Sequence, residues 1–389
     1  MNGCPVTASW APLRAKAWRP VRVASSDPAP TPSVPGQEIP KLERDMESVG
    51  SAHYFEPRPK FRPDAAGVWI VIPCYRVKGH ILKVLAEVPS WIEGVICVDD
   101  ACPEESGAFI RDMTSDARVH VLRLEINLGV GGATLAGYAE AAQRGARIMV
   151  KVDGDGQMDL TYLGPLIMPI ALGEADYTKG NRFTSLGHLQ SMPKIRVFGN
   201  AGLSFLAKAS SGYWNVFDPT NGFTAIEATV ARLMLQREVS KRFFFETDLL
   251  YHLGTIRAVV RDIPIPSRYG DEVSNLRIST VVWPFAWRHV RNLARRVVGQ
   301  HFVRDFTLAS LELIVGGMLL IWGIGYTIGW SFIRVPGQAA PAGVVMAAAL
   351  PVIIGIQFLL HAINFDVLDV PSRPIHPYLR ALDQFVARR

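Results

Sequence analysis

The chain has 389 residues, of which 49% are hydrophobic, and carries a formal net charge of +6. Such a length accommodates a full-size catalytic domain together with smaller segments. Its four cysteines have neither the paired spacing of a zinc site nor a disulfide framework, so we expect reduced, mostly buried thiols in a cytoplasmic domain.

The first 63 residues are rich in proline and follow no apolar periodicity. They also lack the apolar core that a secretory signal peptide needs. We therefore predict a disordered extension over residues 1–63.

Strand and helix patterns alternate from residue 64 to residue 284. The predicted strands are Val68–Pro73, Gly94–Asp100, Val119–Leu124 and Ile148–Val152, and the helices between them are His80–Val88, Phe109–Thr114 and Ala133–Arg144. This alternation predicts a doubly wound, mainly parallel α/β sheet. In such a sheet, ligands bind at the carboxyl ends of the strands.

Carboxylates follow two of these strands. Asp99 and Asp100 end the second strand, and the turn Asp153-Gly154-Asp155-Gly156-Gln157 follows the fourth. Oxygen ligands of this kind suit Mg²⁺ or Mn²⁺, which in proteins usually also binds phosphate oxygens. The turn therefore indicates a metal site for a diphosphate substrate, with a solvated acidic turn as the alternative.

Small residues lead from the third strand into a helix over Asn127–Ala133. They allow a backbone to pass close to a ligand, and the start of a helix favours negative charge. The spacing is not the G-x-G-x-x-G of a dehydrogenase, and no Gly-Lys-Ser/Thr follows as in a P-loop.

Two apolar segments near the C-terminus, Thr307–Ile333 and Gly343–Phe365, are each long enough to cross a bilayer. We predict two transmembrane helices within residues 307–366, rather than a pair of buried core helices. A basic amphipathic juxtamembrane helix is predicted at 285–306 and a cytoplasmic tail at 367–389. Arginines cluster on both outer flanks, which places the flanks in the cytoplasm and accounts for the net charge without a nucleic-acid partner.

Taken in order, seven motifs resemble those of family-2 glycosyltransferases with the GT-A fold. The closest resemblance is to the branch of dolichyl-phosphate mannose synthases and bacterial polyprenyl-phosphate glycosyltransferases, and it runs from about Val68 to Tyr269. The motifs are Val71–Tyr75, Val98–Asp100, Asn127–Ala133, Asp153–Gln157, Gly180–Phe183, Asp218–Phe223 and Phe245–Leu250.

The resemblance implies roles for individual residues. The residues that it implies for nucleotide binding are Pro73, Tyr75, Asp99, Asp100, Asn127, Gly131 and Asp153. Those that it implies as ligands of Mg²⁺ or Mn²⁺ are Asp153, Asp155 and Gln157. Those that it implies for catalysis are Asp248, Arg182 and Asp155. Looser candidates are Arg196 for phosphate and Asp271, Glu272 and Ser274 for the pocket. Structural alternatives stay open: Asp99 as a cap of the following turn, Arg182 in a surface ion pair, and Glu246 and Asp248 as the polar side of a helix.

The implied function is that of a membrane-bound, inverting glycosyltransferase of the inner membrane. It would move a sugar from a nucleoside diphosphate to a polyprenyl phosphate and thereby supply cell-envelope glycan synthesis. Two alternatives remain: a glycosyltransferase that uses a hydroxyl acceptor, with Asp248 as the base, and a non-catalytic membrane scaffold. An oligomer is left open.

Overall fold

A computed structural model of the chain describes residues 67–183, 194–265, 278–334 and 339–387, with side chains not described at 194–201, 278–282 and 387. The predicted N-terminal extension, the pocket candidates Asp271, Glu272 and Ser274, and the side chain of Arg196 lie outside this description. The three cysteines within it, Cys74, Cys97 and Cys102, are buried, as expected, and form no disulfide with one another.

A mixed, mainly parallel sheet forms the centre of the molecule. Its strand order is β3-β2-β1-β4-β6-β5-β7, with β6 antiparallel to both of its neighbours. The strands are β1 Val68–Cys74, β2 Gly94–Asp99, β3 Val119–Arg123, β4 Ile148–Lys151, β5 Tyr177–Asn181, β6 Thr224–Glu227 and β7 Val260–Pro264. The first four confirm the predicted strands, and the fold class is as predicted.

Helices cover both faces of the sheet and continue beyond it. They are α1 Ile81–Ala86, α2 Ser106–Met113, α3 Val130–Gln143, α4 Leu163–Ala171, α5 Lys194–Ser211, α6 Ala228–Leu235, α7 Phe245–Thr255, α8 Ile278–Val298, α9 Leu308–Ile333, α10 Ala342–Leu368 and α11 His376–Ala387. A π-helical turn, Gly299–Arg304, follows α8.

Alternation along β1 explains how one strand supplies two cores. Ile70 and Ile72 belong to the core on one face, and Trp69 and Val71 to the core on the other. Successive strand residues point to opposite faces, so a strand buried on both sides is apolar throughout. Helix α3 packs so closely on β1 that a Cβ on Gly137 would lie 2.3 Å from Val71 Cγ1.

The two long apolar helices α9 and α10 pack along each other as a hairpin. A Cβ on Gly316 would lie 3.0 Å from the Gly355 carbonyl oxygen, so only glycine allows the backbones to approach this closely. By length and composition, both helices are long and apolar enough to cross a membrane.

The end of α10 is bound to the sheet domain by charged groups. Asp366 accepts hydrogen bonds from Arg296 at the end of α8 (2.6 and 2.9 Å) and from Trp214 Nε1 (2.8 Å). Asp369 pairs with Arg257 at 2.6 Å. The hairpin and the sheet domain are thus joined by buried or half-buried ion pairs.

The tail after the hairpin contains helix α11, which returns to the sheet domain. The buried carboxylate of Asp176 accepts hydrogen bonds from the backbone N–H groups of Ile375 and His376 (3.0 and 2.8 Å) and lies 2.8 Å from His376 Nδ1. Arg380 of α11 also pairs with Glu227 at 2.9 Å. The sequence predicted only a tail in this region, without these contacts.

Candidate functional site

A buried lysine organises the end of β4. Lys151 is the last residue of the strand, and its Nζ lies 2.6 Å from Asp153 Oδ1 and 3.3 Å from Glu246 Oε1 of α7. Burial opposes the charged form, but the two carboxylates outweigh it, and the pKa of Lys151 is raised above its ordinary value. Lys151 therefore holds the first aspartate of the acidic turn in place as an ammonium ion.

Gly222 allows the loop before β6 to lie against this cluster. A Cβ at this position would lie 2.5 Å from Lys151 Nζ and 2.6 Å from Asp153 Oδ2. No larger residue fits without moving the charged groups. The requirement explains the glycine in the Asp218–Phe223 motif.

The rest of the acidic turn is more accessible. Asp153 and Asp155 are half-buried and Gln157 is exposed. The backbone N–H of Gln157 donates to Asp155 Oδ1 (3.0 Å) across Gly156, whose φ of +77° favours glycine. The turn thus presents carboxylate oxygens at the carboxyl end of β4, where the sequence predicted a diphosphate site.

The paired aspartates after β2 hold neighbouring loops. Asp99 accepts hydrogen bonds from the N–H groups of Cys102 (2.8 Å) and Gly107 (2.7 Å), and Asp100 from those of Leu128 (2.7 Å) and Gly129 (2.8 Å). Both carboxylates are almost fully buried. The capping alternative for Asp99 is therefore realised, and contact of either aspartate with a nucleotide stays a prediction.

The start of α3 is already engaged by protein groups. The N–H groups of Gly131 and Gly132 donate to the Lys241 carbonyl (2.9 and 3.0 Å), and a Cβ on Gly131 would lie 2.6 Å from the Phe245 side chain. The structure thus gives Gly131 a packing role, and the N–H groups of Gly131 and Gly132 are paired with a protein carbonyl. Its role in nucleotide binding stays a prediction.

Two exposed side chains border these loops. Tyr75, which follows β1, is 44% exposed, and the Arg76 guanidinium lies 5.5 Å from the centre of its ring. Asn127 is also exposed, and its amide donates to the Asp100 carbonyl (3.1 Å). Of the residues predicted to bind the nucleotide, Tyr75 and Asn127 thus have exposed side chains beside the carboxyl ends of the strands. Pro73, also predicted to bind the nucleotide, is half-buried.

Arg182 lies just beyond β5 and forms a two-point contact with Asp218. Its Nε lies 2.8 Å from Asp218 Oδ2 and its second terminal nitrogen 3.1 Å from Oδ1. Asp218 is fully buried, whereas the arginine side chain is 39% exposed. Since Asp218 and Gly222 belong to one short loop, Arg182 and the Lys151 cluster are positioned by the same segment.

The two acids of α7 have different surroundings. Glu246 faces Lys151, whereas Asp248 accepts hydrogen bonds from the Ser240 N–H and from Asn292 Nδ2 of α8, both at 2.8 Å. Asp248 is 3% exposed. The structure therefore connects Asp248 to α8, and a role as base stays a prediction.

Residues 69–233 match the family model "Glycosyl transferase family 2". Residues 69–233 therefore form a family-2 glycosyltransferase domain. The match begins in β1 and ends in α6, so it contains the acidic turn, Arg182 and the loop from Asp218 to Gly222.

Curated relatives of this glycosyltransferase share about a quarter of its residues. It is 25% identical to a UDP-N-acetylglucosamine–dolichyl-phosphate N-acetylglucosaminyltransferase of Methanococcus voltae, over 52% of this chain and 86% of the relative. It is 29% identical to an undecaprenyl-phosphate mannosyltransferase of Micrococcus luteus, over 51% and 82%. A polyprenol monophosphomannose synthase of Mycolicibacterium smegmatis is 26% identical, over 50% and 75%.

Among solved structures, the glycosyltransferase is similar to glucosyl-3-phosphoglycerate synthase from Mycobacterium tuberculosis in complex with Mn²⁺, UDP-glucose and phosphoglyceric acid. The identity is 15%, the TM-score is 0.45, and the similarity covers 60% of this chain and 81% of the other.

The carboxylate and amide oxygens of the acidic turn suit a metal ion whose other ligands are phosphate oxygens of the substrate. Within the described residues, no group of three or more His, Cys, Asp or Glu side chains could hold a metal. Mg²⁺ is usually bound by one or two carboxylates together with substrate phosphates, not by a cage of protein ligands. Asp153 and Asp155, with the amide oxygen of Gln157, provide such a partial set.

Sequence reasoning assigned no role to Lys151 and treated Glu246 only as the polar side of a helix. One signal was present: Lys151 and Asp153 are two residues apart in an extended segment, so their side chains lie on the same face. The pairing with Glu246, 95 positions later in the chain, could not be found without the fold.

Proposed function

We propose that this glycosyltransferase moves a sugar from a nucleoside-diphosphate sugar to a polyprenyl phosphate at a membrane surface, with inversion at the anomeric carbon. The observation that carries the proposal is the arrangement of charge at the end of β4. There, Lys151 lies between Asp153 and Glu246, and the turn to Gln157 follows. The names of the three relatives, each of which refers to a polyprenyl-type lipid phosphate, support the acceptor.

Asp153, Asp155 and Gln157 would hold Mg²⁺ or Mn²⁺, and the bound cation would supply positive charge against the departing diphosphate. Lys151 fixes the orientation of Asp153 and offsets part of the charge of the two carboxylates. This leaves the turn less repulsive toward an anionic substrate than its aspartates alone would be.

Arg182 is the cation that we assign to a phosphate oxygen. Asp218 holds its guanidinium through two nitrogens, the side chain is 39% exposed, and the planar guanidinium suits phosphate. A lipid phosphate is already anionic at neutral pH, so its attack on the sugar needs no general base. The engagement of both Asp248 oxygens by Ser240 and Asn292 agrees with such a reaction.

Helices α8, α9 and α10 support a location at the cytoplasmic face of the inner membrane. The outer side of α8 carries exposed Trp283 and Trp287 near Arg288 and Arg291, as in helices that lie in a membrane interface. We propose that α9 and α10 span the bilayer and that both flanks are cytoplasmic.

A matched pair of acceptors tests the proposal. The purified protein is placed in liposomes that contain either polyprenyl phosphate or the corresponding polyprenol, with labelled UDP- and GDP-sugars and Mg²⁺ or Mn²⁺. We expect labelled, solvent-extractable product only with the phosphate and with one donor class. Equal transfer to the polyprenol would instead indicate a hydroxyl acceptor, and then Asp248→Asn should lower the rate on the order of 100-fold or more.

A further inference from the structure

A stripe of polar side chains runs along the outer face of α10 (Ala342–Leu368). Gln357, His361 and Asn364 are four and three positions apart, so they lie on one side of the helix, and all three are exposed. The residues of α10 that are buried, Gly355 and Ala362 among them, lie on a different side, toward α9. We call the three polar residues the α10 stripe.

The α10 stripe begins at the sheet domain and extends to the middle of the hairpin. Asp366, which contacts Trp214 and Arg296, marks the level of the sheet domain. At about 1.5 Å per residue, Asn364 lies about 3 Å and Gln357 about 13 Å farther along the helix. Gln357 is only two positions from the midpoint of α10, so in a bilayer it lies close to the centre.

Hydrocarbon offers these side chains no hydrogen bonds. Within the part of the chain that the structure describes, neither the Gln357 nor the Asn364 amide has a hydrogen-bond partner, and His361 uses Nδ1 to contact Glu312 of α9 at 2.7 Å. Polar groups exposed to lipid tails are unfavourable and are normally paired with another helix. A second helix with donors and acceptors at the depth of Gln357 would satisfy these amides.

We propose that the α10 stripe is the contact through which two copies of this chain associate side by side in the membrane. A carboxamide both donates and accepts, so the amides of Gln357 and Asn364 can pair with the same residues of a second copy across a two-fold axis along the membrane normal. Exposed Ile353, Ile356 and Leu360 beside the stripe supply apolar packing. The inference rests on the membrane insertion proposed above.

The experiment measures association in liposomes by single-molecule photobleaching of the labelled full-length chain over a range of protein-to-lipid ratios. The variant Gln357→Leu/Asn364→Leu removes the unpaired amides but keeps the His361–Glu312 pair, and leucine is compatible with a lipid-exposed helix. Ser331→Leu, at an exposed position of α9, is the matched control. We expect dimers for the wild type and the control, and association at least tenfold weaker for the double variant.

A double variant that associates as strongly as the wild type would overturn the proposal, even if it bound polyprenyl phosphate less well. An inserted, active but monomeric wild type would also overturn it while leaving the proposed function intact. Release of the wild type from membranes by alkaline carbonate would instead contradict membrane insertion itself. The two failures are therefore distinguishable.

Discussion

Lys151 is the residue whose removal tests the charge arrangement of the site most simply. Lys151→Met would leave Asp153 and Glu246 facing each other without the cation, with Glu246 largely buried. Breaking a buried ion pair by removing one partner is strongly destabilising, so we expect a loss of about 3 kcal/mol in the free energy of unfolding. Chemical denaturation at pH 7 measures it.

The exposed Lys83 of α1 gives the matched control, and Lys83→Met should change the unfolding free energy by less than about 0.5 kcal/mol. Adding Glu246→Gln to Lys151→Met should restore part of the lost stability, because one unpaired carboxylate is removed. Additive losses in the double variant would show that Lys151 and Glu246 do not interact as described.

Some residues of the candidate site could be predicted from the sequence, whereas the contacts of others depend on the fold. Asp153 and Asp155 could be found because a strand followed by an acidic, glycine-containing turn is a local pattern. The contacts of Lys151 with Glu246 and Gly222 could not be found, because only the fold brings these residues together. Asp99 and Asp100 were found as a pair, but their bonds to distant backbone N–H groups were not predictable from the pair itself.

At the scale of elements, the contact of α8 with α7 should depend on pH. His289 of α8 is buried between Ser210 and Phe244, and burial lowers its pKa to about 4 although Asp248 opposes this. Its folded-state pKa lies below the unfolded value of about 6.5. The contribution of the neutral histidine to the free energy of unfolding is therefore fully present above pH 6.5 and is lost as the pH falls toward 4. The full loss is on the order of 3 kcal/mol.

Unfolding free energies measured at pH 7 and pH 4.5 should therefore differ less for His289→Asn than for the wild type. Asparagine can retain a hydrogen bond to Ser210 but does not titrate. His80→Asn, at an exposed position before α1, is the control and should keep the wild-type dependence. An unchanged pH dependence in His289→Asn would contradict the neutral, buried state of this histidine.

The strands β1 to β4 could be predicted because each is a short apolar run beside a clear helix pattern. Helix α11 could not be predicted as a docked element, since its attachment depends on Asp176, a buried carboxylate about 200 positions earlier in the chain. Likewise, the tie between α7 and α8 through Asp248 and Asn292 joins two segments whose patterns give no sign of each other.

At the scale of the whole molecule, Asp366 joins the apolar hairpin to the catalytic domain. Asp366→Asn removes the charge that faces the buried Arg296, and we expect a loss of about 3 kcal/mol of unfolding free energy in detergent or lipid. Asp383→Asn removes the partner of Arg232 in an exposed pair, which is worth less than about 1 kcal/mol. Equal effects of the two variants would show that the Asp366 contact does not hold the hairpin to the domain.

The central claim is that the turn from Asp153 to Gln157 carries sugar transfer from a nucleoside diphosphate to a lipid phosphate. The most direct measurement is the rate of lipid-linked product formation by wild type and Asp155→Ala in liposomes across a titration of Mn²⁺ or Mg²⁺. Asp159→Ala, a turn-capping carboxylate nearby, is the control. We predict a rate on the order of 100-fold lower for Asp155→Ala, because the charge on the departing diphosphate would be poorly stabilised. Asp159→Ala should keep a near wild-type rate. Equal product from wild type and Asp155→Ala would contradict the claim.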